Sequence, residues 1–228
     1  MEQTWQDLLF LHWPMPTEQL RPLVPPQLEL DLFNGQAWVA VVPFRMRGIH
    51  LRGLPPLPGT SETPELNVRT YVKYRGRPGV YFFSLDAASI AGVWVGRGIY
   101  HLPYFHARMK CERQGEEVRY SSERLGKLAK GKSSAVFGGR YAPIARVELR
   151  KPGSIGHWLT ERYCLYTVSG DQVYAGEIHH EPWPLQNAEA TIDVNSMAAS
   201  AGITLPGTPP LLHFARELRV LIWSLRRV

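Results

Sequence analysis

The dipeptide Asn34-Gly35 stands between two runs of β-prone residues, 28–33 and 36–44. Both residues tolerate the positive φ that a two-residue hairpin turn demands, so Asn-Gly is the strongest short hairpin signal a chain can carry. The same pattern returns three more times. Runs 66–74 and 80–85 flank Arg75-Gly76-Arg77-Pro78-Gly79, runs 104–112 and 117–122 flank Gln114-Gly115, and runs 163–168 and 172–179 flank Ser169-Gly170-Asp171. Helical signals are few: 17–23 behind a Thr17 cap, 86–95 behind Asp86, and 154–162 behind Ser154. A small-residue patch, 196–201, has no decided form. Four hairpins joined by short helices predict a mainly β (α+β) fold, an antiparallel barrel or sandwich. No low-complexity run divides the chain, so 1–228 reads as one domain. The Pro-rich segment 54–60 reads as a rigid surface connector.

Charge excludes some functions. The 26 Lys and Arg exceed the 20 Asp and Glu, for a net charge of +6. The Arg residues are scattered singly among acidic ones, without the basic run of a nucleic-acid contact, so no nucleic-acid partner is expected. No apolar run reaches the ~18 residues of a membrane span, and the first residues lack the basic-then-apolar order of a signal peptide. A cytoplasmic location and no membrane partner are therefore expected. The two cysteines, Cys111 and Cys164, lie too far apart in sequence for a zinc pair and read as buried free thiols.

Residues 126–133 match the Gly-x4-Gly-Lys-Ser phosphate-loop pattern. That loop works only between a buried strand and a helix. The preceding 119–124 is too polar for such a strand, so the match reads as a basic loop. The histidines give no metal pattern. His179 and His180 are adjacent and would face opposite sides of a strand, and His101 and His106 flank Pro103 at a spacing no common site uses. Neither a metal nor a cofactor is expected. Glu177 and His179 share a strand face, which reads as solvated rather than as an acid–base pair.

The segment Gly96-Arg97-Gly98-Ile99-Tyr100-His101-Leu102-Pro103-Tyr104-Phe105 resembles the active-site stretch of acetoacetate decarboxylases. With 20–31, Asn67-Val68-Arg69-Thr70-Tyr71-Val72 and 79–86, it makes the chain similar to the DUF2071, or YqjF-like, family of the acetoacetate decarboxylase-like superfamily. The resemblance implies a closed antiparallel β-barrel with a central ligand cavity. It also implies a cavity carboxylate at Glu65 and a Gly-Arg pair at Gly96 and Arg97. The two lysines that give the decarboxylase its Schiff base fall at Tyr104 and Phe105, which have no amine. A Schiff-base lysine needs a pKa lowered by desolvation or a nearby cation, and here nucleophile and tuning cation are lost together. Lys73 and Lys110, on hairpin strands, do not replace them. Acetoacetate decarboxylase activity is therefore not expected.

What remains is a small-molecule cavity. The aromatic residues Tyr71, Tyr81, Trp94, Tyr100, Tyr104 and Phe105 cluster around the same segments. Tyr104, His106 and Glu65 are the candidate catalytic residues: Tyr104 or His106 to donate a proton to a carbonyl oxygen, Glu65 to orient substrate or act as base. Arg69, Tyr71, Arg97 and Phe105 are the candidate ligand contacts. Alternation puts Arg69, Tyr71 and Lys73 on one face, either cavity or solvent. The expected ligand has an apolar body and a polar or anionic group. Two readings follow: an enzyme acting on a carbonyl or carboxylate compound, or a ligand sensor or assembly protein that has shed catalysis. Finally, 218–227 is β-branched and apolar on both alternating faces, so it is expected to be a covered strand integral to the fold, with a homodimer contact as an extension.

Overall fold

A computed structural model describes residues 1–50, 53, 62–89, 101–126 and 135–228. Thirteen strands form one sheet among these residues. In chain order they are β1 (Glu2–Met15), β2 (Glu29–Leu30), β3 (Ala37–His50), β4 (Glu62–Tyr74), β5 (Arg77–Ala87), β6 (Tyr104–Gln114) and β7 (Glu117–Arg124). They continue with β8 (Val136–Pro143), β9 (Cys164–Ser169), β10 (Gln172–His180), β11 (Leu185–Asn195), β12 (Leu211–Ile222) and β13 (Arg226–Arg227). The helices are short: α1 (Thr17–Leu20), α2 (Ile155–Thr160) and 3-10 turns at Arg21–Leu23 and Ala199–Ala201. No helix among the described residues is long and apolar enough to cross a membrane.

Three of the four hairpins form as expected. Arg75 and Gly76 both take positive φ (49° and 78°), so β4 and β5 join through a tight two-residue turn with Tyr74 opposite Arg77, not through a five-residue loop. Gln114 faces Glu117 between β6 and β7, and Ser169 faces Gln172 between β9 and β10. The Asn34-Gly35 turn also forms, with positive φ at both residues and mutual backbone bonds between Phe33 and Gln36. Its hairpin ends there. Both edges of β3 are taken by the longer β1 and β4, so β2 pairs with β4 instead.

The sheet is not purely antiparallel: β5 runs parallel to both β6 and β9. From β5 the pairings run through β6, β7, β8, β11, β12, β1 and β3 to β4, and β4 pairs with β5. Asp86 belongs to β5 and not to a helix, because it pairs with Leu66 and Phe105 on its two sides; the remainder of the expected 86–95 helix extends beyond the described residues, as do 54–60 and nearly all of 126–133. Ser154 does cap α2, its Oγ accepting from His157 N at 3.3 Å. The cap of α1 is Pro16, and Thr17 is already helical.

The strands β12, β1, β3 and β4 separate two cores. Leu9, Leu11, Val39, Val41, Leu66 and Val68 pack toward β7 and β8 with Tyr120, Phe137 and Tyr141. Their strand neighbours Leu8, Phe10, Ala40, Val42 and Phe44 pack toward β5, β9 and β10 with Val80, Phe82, Leu165 and Ile178. Burial of both faces explains the near-continuous apolar runs of β1 and β3. In β12 both faces are buried at His213, Phe214 and Ala215, whereas beyond them Leu218 and Val220 are buried and Arg219 is exposed. The expectation of a terminal strand covered on both faces is thus corrected: the other face carries the Arg219–Glu2 ion pair.

Candidate functional site

The second core is hollow. A cavity of about 490 Å³ opens between β4, β5, β9 and β10, walled by Trp5, Leu8, Phe44, Phe82, Leu165 and Trp183. Alternation along β4 sends Glu65, Asn67 and Arg69 into it. Tyr104, the first residue of β6, reaches the same space because β6 starts beside Leu85 of β5. Its hydroxyl donates to Glu65 Oε2 at 2.9 Å.

Glu65 is buried, at 4% exposure. Burial pushes its pKa up to about 7; the Tyr104 hydrogen bond opposes this and the nearby Asp86 carboxylate adds to it. Its backbone is fixed from behind: the Tyr120 hydroxyl lies 2.7 Å from Glu65 O and 3.0 Å from Phe44 O. Asp86 is held by Arg124 through two hydrogen bonds, Nε to Oδ1 at 2.7 Å and Nη2 to Oδ2 at 2.6 Å. The same guanidinium lies over the Phe105 ring at 3.8 Å. Phe105 therefore packs on the outer side of the strand that delivers Tyr104, and it is not among the described residues lining the cavity.

At the other end lies Arg69, 8% exposed, with its guanidinium carbon 5.5 Å from the centre of the Phe10 ring and 5.9 Å from that of Tyr71. Tyr71 is fully buried between Arg69, Arg162 and Trp158 and does not itself line the cavity. Lys73, next on that face, sits half-exposed on Asp31 at 2.8 Å. The face of Arg69, Tyr71 and Lys73 thus passes from cavity to core to rim, so neither expectation for it holds throughout.

His106 is half-buried on β6 and stands apart from the lining. Arg97 lies outside the described residues. Glu177 is exposed and paired with Arg77 at 3.0 Å, which makes its face solvated. Lys110 is exposed beside Glu112, and no lysine lines the cavity among the described residues. Both thiols are unpaired, with Cys164 buried and Cys111 only partly so.

Several lining residues went unforeseen. His180 is buried and stacked on Tyr163 at 4.6 Å, its pKa lowered mainly by burial. Arg162 comes from the segment after α2 and is 7% exposed. Trp5 and Trp183 come from opposite ends of the chain and stack at 6.0 Å. Local sequence carries no signal for any of these, since each comes from a different part of the chain: Trp5 from β1, His180 from β10, and Arg162 and Trp183 from the connections before β9 and β11.

The family model described as an uncharacterised conserved protein, DUF2071, matches residues 2–219. The chain belongs to that family, and its fold is of the acetoacetate decarboxylase-like type. Within the family it is 49% identical over 227 residues to the uncharacterised protein YqjF of Bacillus subtilis (strain 168), covering 100% of this chain and 92% of that one. Among solved structures it is similar to acetoacetate decarboxylase from Legionella pneumophila, with a TM-score of 0.63 and 14% identity, over 100% of this chain and 86% of that one. The enduracididine biosynthesis enzyme MppR is similar too, with a TM-score of 0.68 and 12% identity, over 100% and 87% of the two chains.

Proposed function

We propose that the chain binds a small molecule with an apolar body and a polar or anionic group in this cavity, and that Glu65 moves a proton on it while Tyr104 hydrogen-bonds its carbonyl oxygen. We read the strands β4, β5, β9, β10, β12, β1 and β3 as a closed β-barrel around the cavity, supported by the pairings of β5 with β9, of β9 with β10, of β10 with β12 and of β4 with β5. The observation that carries the proposal is the 2.9 Å contact between Tyr104 and a buried carboxyl whose pKa lies at about 7. Such a carboxyl is part-ionised at neutral pH, where a general base works best. Glu65 takes a proton from the carbon beside a carbonyl. The C–H electron pair becomes the C=C bond of an enolate, the C=O π pair moves onto oxygen, and the Tyr104 hydroxyl turns its one proton from Glu65 Oε2 to that oxygen as a hydrogen bond. Return of a proton from Glu65 to carbon completes the cycle.

The test is turnover, or exchange of the α-hydrogen, in D2O for a panel of β-keto acids and aldehydes, followed by proton NMR. Tyr104→Phe should slow it by roughly 10²- to 10⁴-fold, the usual range for a lost acid–base group. Borohydride with acetoacetate should trap no lysine adduct; a stoichiometric adduct would restore Schiff-base chemistry. The second reading, a ligand sensor, is favoured by the absence of lysine from the described lining. Binding without exchange for every compound that binds would select it.

A further inference from the structure

Arg69 and Arg162 are each more than nine-tenths buried, at 8% and 7% exposure, and both line the cavity. No ion pair of the described residues includes Arg69, and its Nε and Nη2 have no hydrogen-bond partner. Those two atoms are closed to solvent, so Arg69 meets the cavity through the rest of its side chain. Elsewhere in the molecule a buried guanidinium, Arg124, is neutralised by the Asp86 carboxylate at 2.7 and 2.6 Å. Arg162 is anchored by Asp31 Oδ2 at 2.6 Å and by the Trp158 carbonyl at 2.7 Å, and its Nη2 has no hydrogen-bond partner. The guanidinium carbons of Arg69 and Arg162 lie 5.9 and 5.1 Å from the centre of the same ring, Tyr71. Arg162 and Lys73 share one carboxylate, Asp31, and no ion pair of the described residues gives Arg69 another. A buried guanidinium without a counter-charge is costly, and a ligand anion offsets that cost.

We propose that Arg69, backed by Arg162, is the subsite for a ligand carboxylate. This deepens the reading of the cavity as a ligand site and rests on it. A guanidinium holds a carboxylate oxygen by a charge-assisted hydrogen bond, as the Arg124–Asp86 pair shows within the same molecule. Residues 65 and 69 lie four positions apart on one strand, so their Cα atoms are about 13 Å apart. A molecule that touches both ends is therefore an extended oxo acid, its carbonyl near Tyr104 and its carboxylate several bonds away at Arg69. The apolar walls between them take a hydrocarbon or aryl body.

The probe is 5-oxo-5-phenylpentanoate, with its primary amide and the matching phosphonate, titrated calorimetrically. The acid should bind about 10- to 100-fold more tightly than the amide, the worth of charge-assisted hydrogen bonds. Arg69→Gln should erase that preference, Arg69→Lys should keep part of it, and Tyr104→Phe should keep all of it. A cooperative melt of each variant confirms that it is folded. Equal binding of acid and amide overturns the proposal, as does a preference that survives Arg69→Gln. Tighter binding of the phosphonate overturns the carboxylate assignment, and no binding of any probe at millimolar concentration overturns the subsite. Acid preference without α-proton exchange leaves the subsite standing and sinks the proton-transfer reading; exchange without acid preference does the reverse.

Discussion

Glu65 makes the cavity pH-sensitive. Its ordinary pKa of 4.5 rises to about 7 in the folded chain, chiefly through burial. Between these values the unfolded state has lost its proton and the folded state keeps it. The contribution to stability is therefore full below 4.5 and is lost as pH rises through about 7. Glu65→Gln should remove this loss, so variant minus wild-type stability should grow by about 3 kcal/mol between acid and mildly alkaline pH. Denaturant melts across that range measure it, and a constant difference would refute the assignment. His213 titrates in the opposite sense. Burial, and then Arg150, push it down to about 4 from 6.5, so its contribution is present above 6.5 and lost as pH falls through about 4. An NMR titration of its imidazole should show a midpoint near that lower value; a midpoint near 6.5 would mean that the site is open to water.

Among the elements, β5 is the junction: it pairs with β4, β6 and β9. Its approach to β9 depends on Gly79, where an added Cβ would lie 2.7 Å from Cys164 O and 2.6 Å from the Tyr166 ring. Gly79→Ala should destabilise the fold by about 1–3 kcal/mol, as overpacking does, and should loosen the wall that Val80 and Leu165 give the cavity. Urea unfolding reads the cost; an unchanged midpoint would show that β9 shifts freely. The hairpins around this junction were legible because turn chemistry is local: Arg75-Gly76 and Gly170 need only their own φ. The partners of β2 and β5 were not legible, since strand pairing depends on which edges remain open.

For the whole molecule, the chain ends matter most. Strand β12 pairs with β1, β10 and β11, and Leu218 and Val220 lie in the core that walls the cavity. Deleting 218–228 removes those side chains and the partner of Glu2 to Trp5. The truncated chain should be insoluble or should lose its cooperative melt. A soluble product with an unchanged melting temperature would show that β1 does not need this strand. Buried ion pairs tie distant strands in the same way: Asp7, fully buried, is paired with Arg45 at 2.7 Å and Arg216 at 2.5 Å.

The amino-acid sequence by itself determined the β class, the hairpin turns, the Ser154 cap and the presence at Tyr104 and Phe105 of two side chains without an amine. Each depends on a residue and its near neighbours, through backbone φ, hydrogen bonding or the plain absence of an amine. It also pointed to Glu65, Arg69 and Tyr104, and alternation along β4 brings the first two into one cavity. Tertiary structure alone decided that Tyr71 and Phe105 pack behind the walls, and that Arg162, His180, Trp5 and Trp183 complete the lining. The physical reason is that these residues meet only after long-range strand pairing has set the register, and register follows from which faces can be buried together.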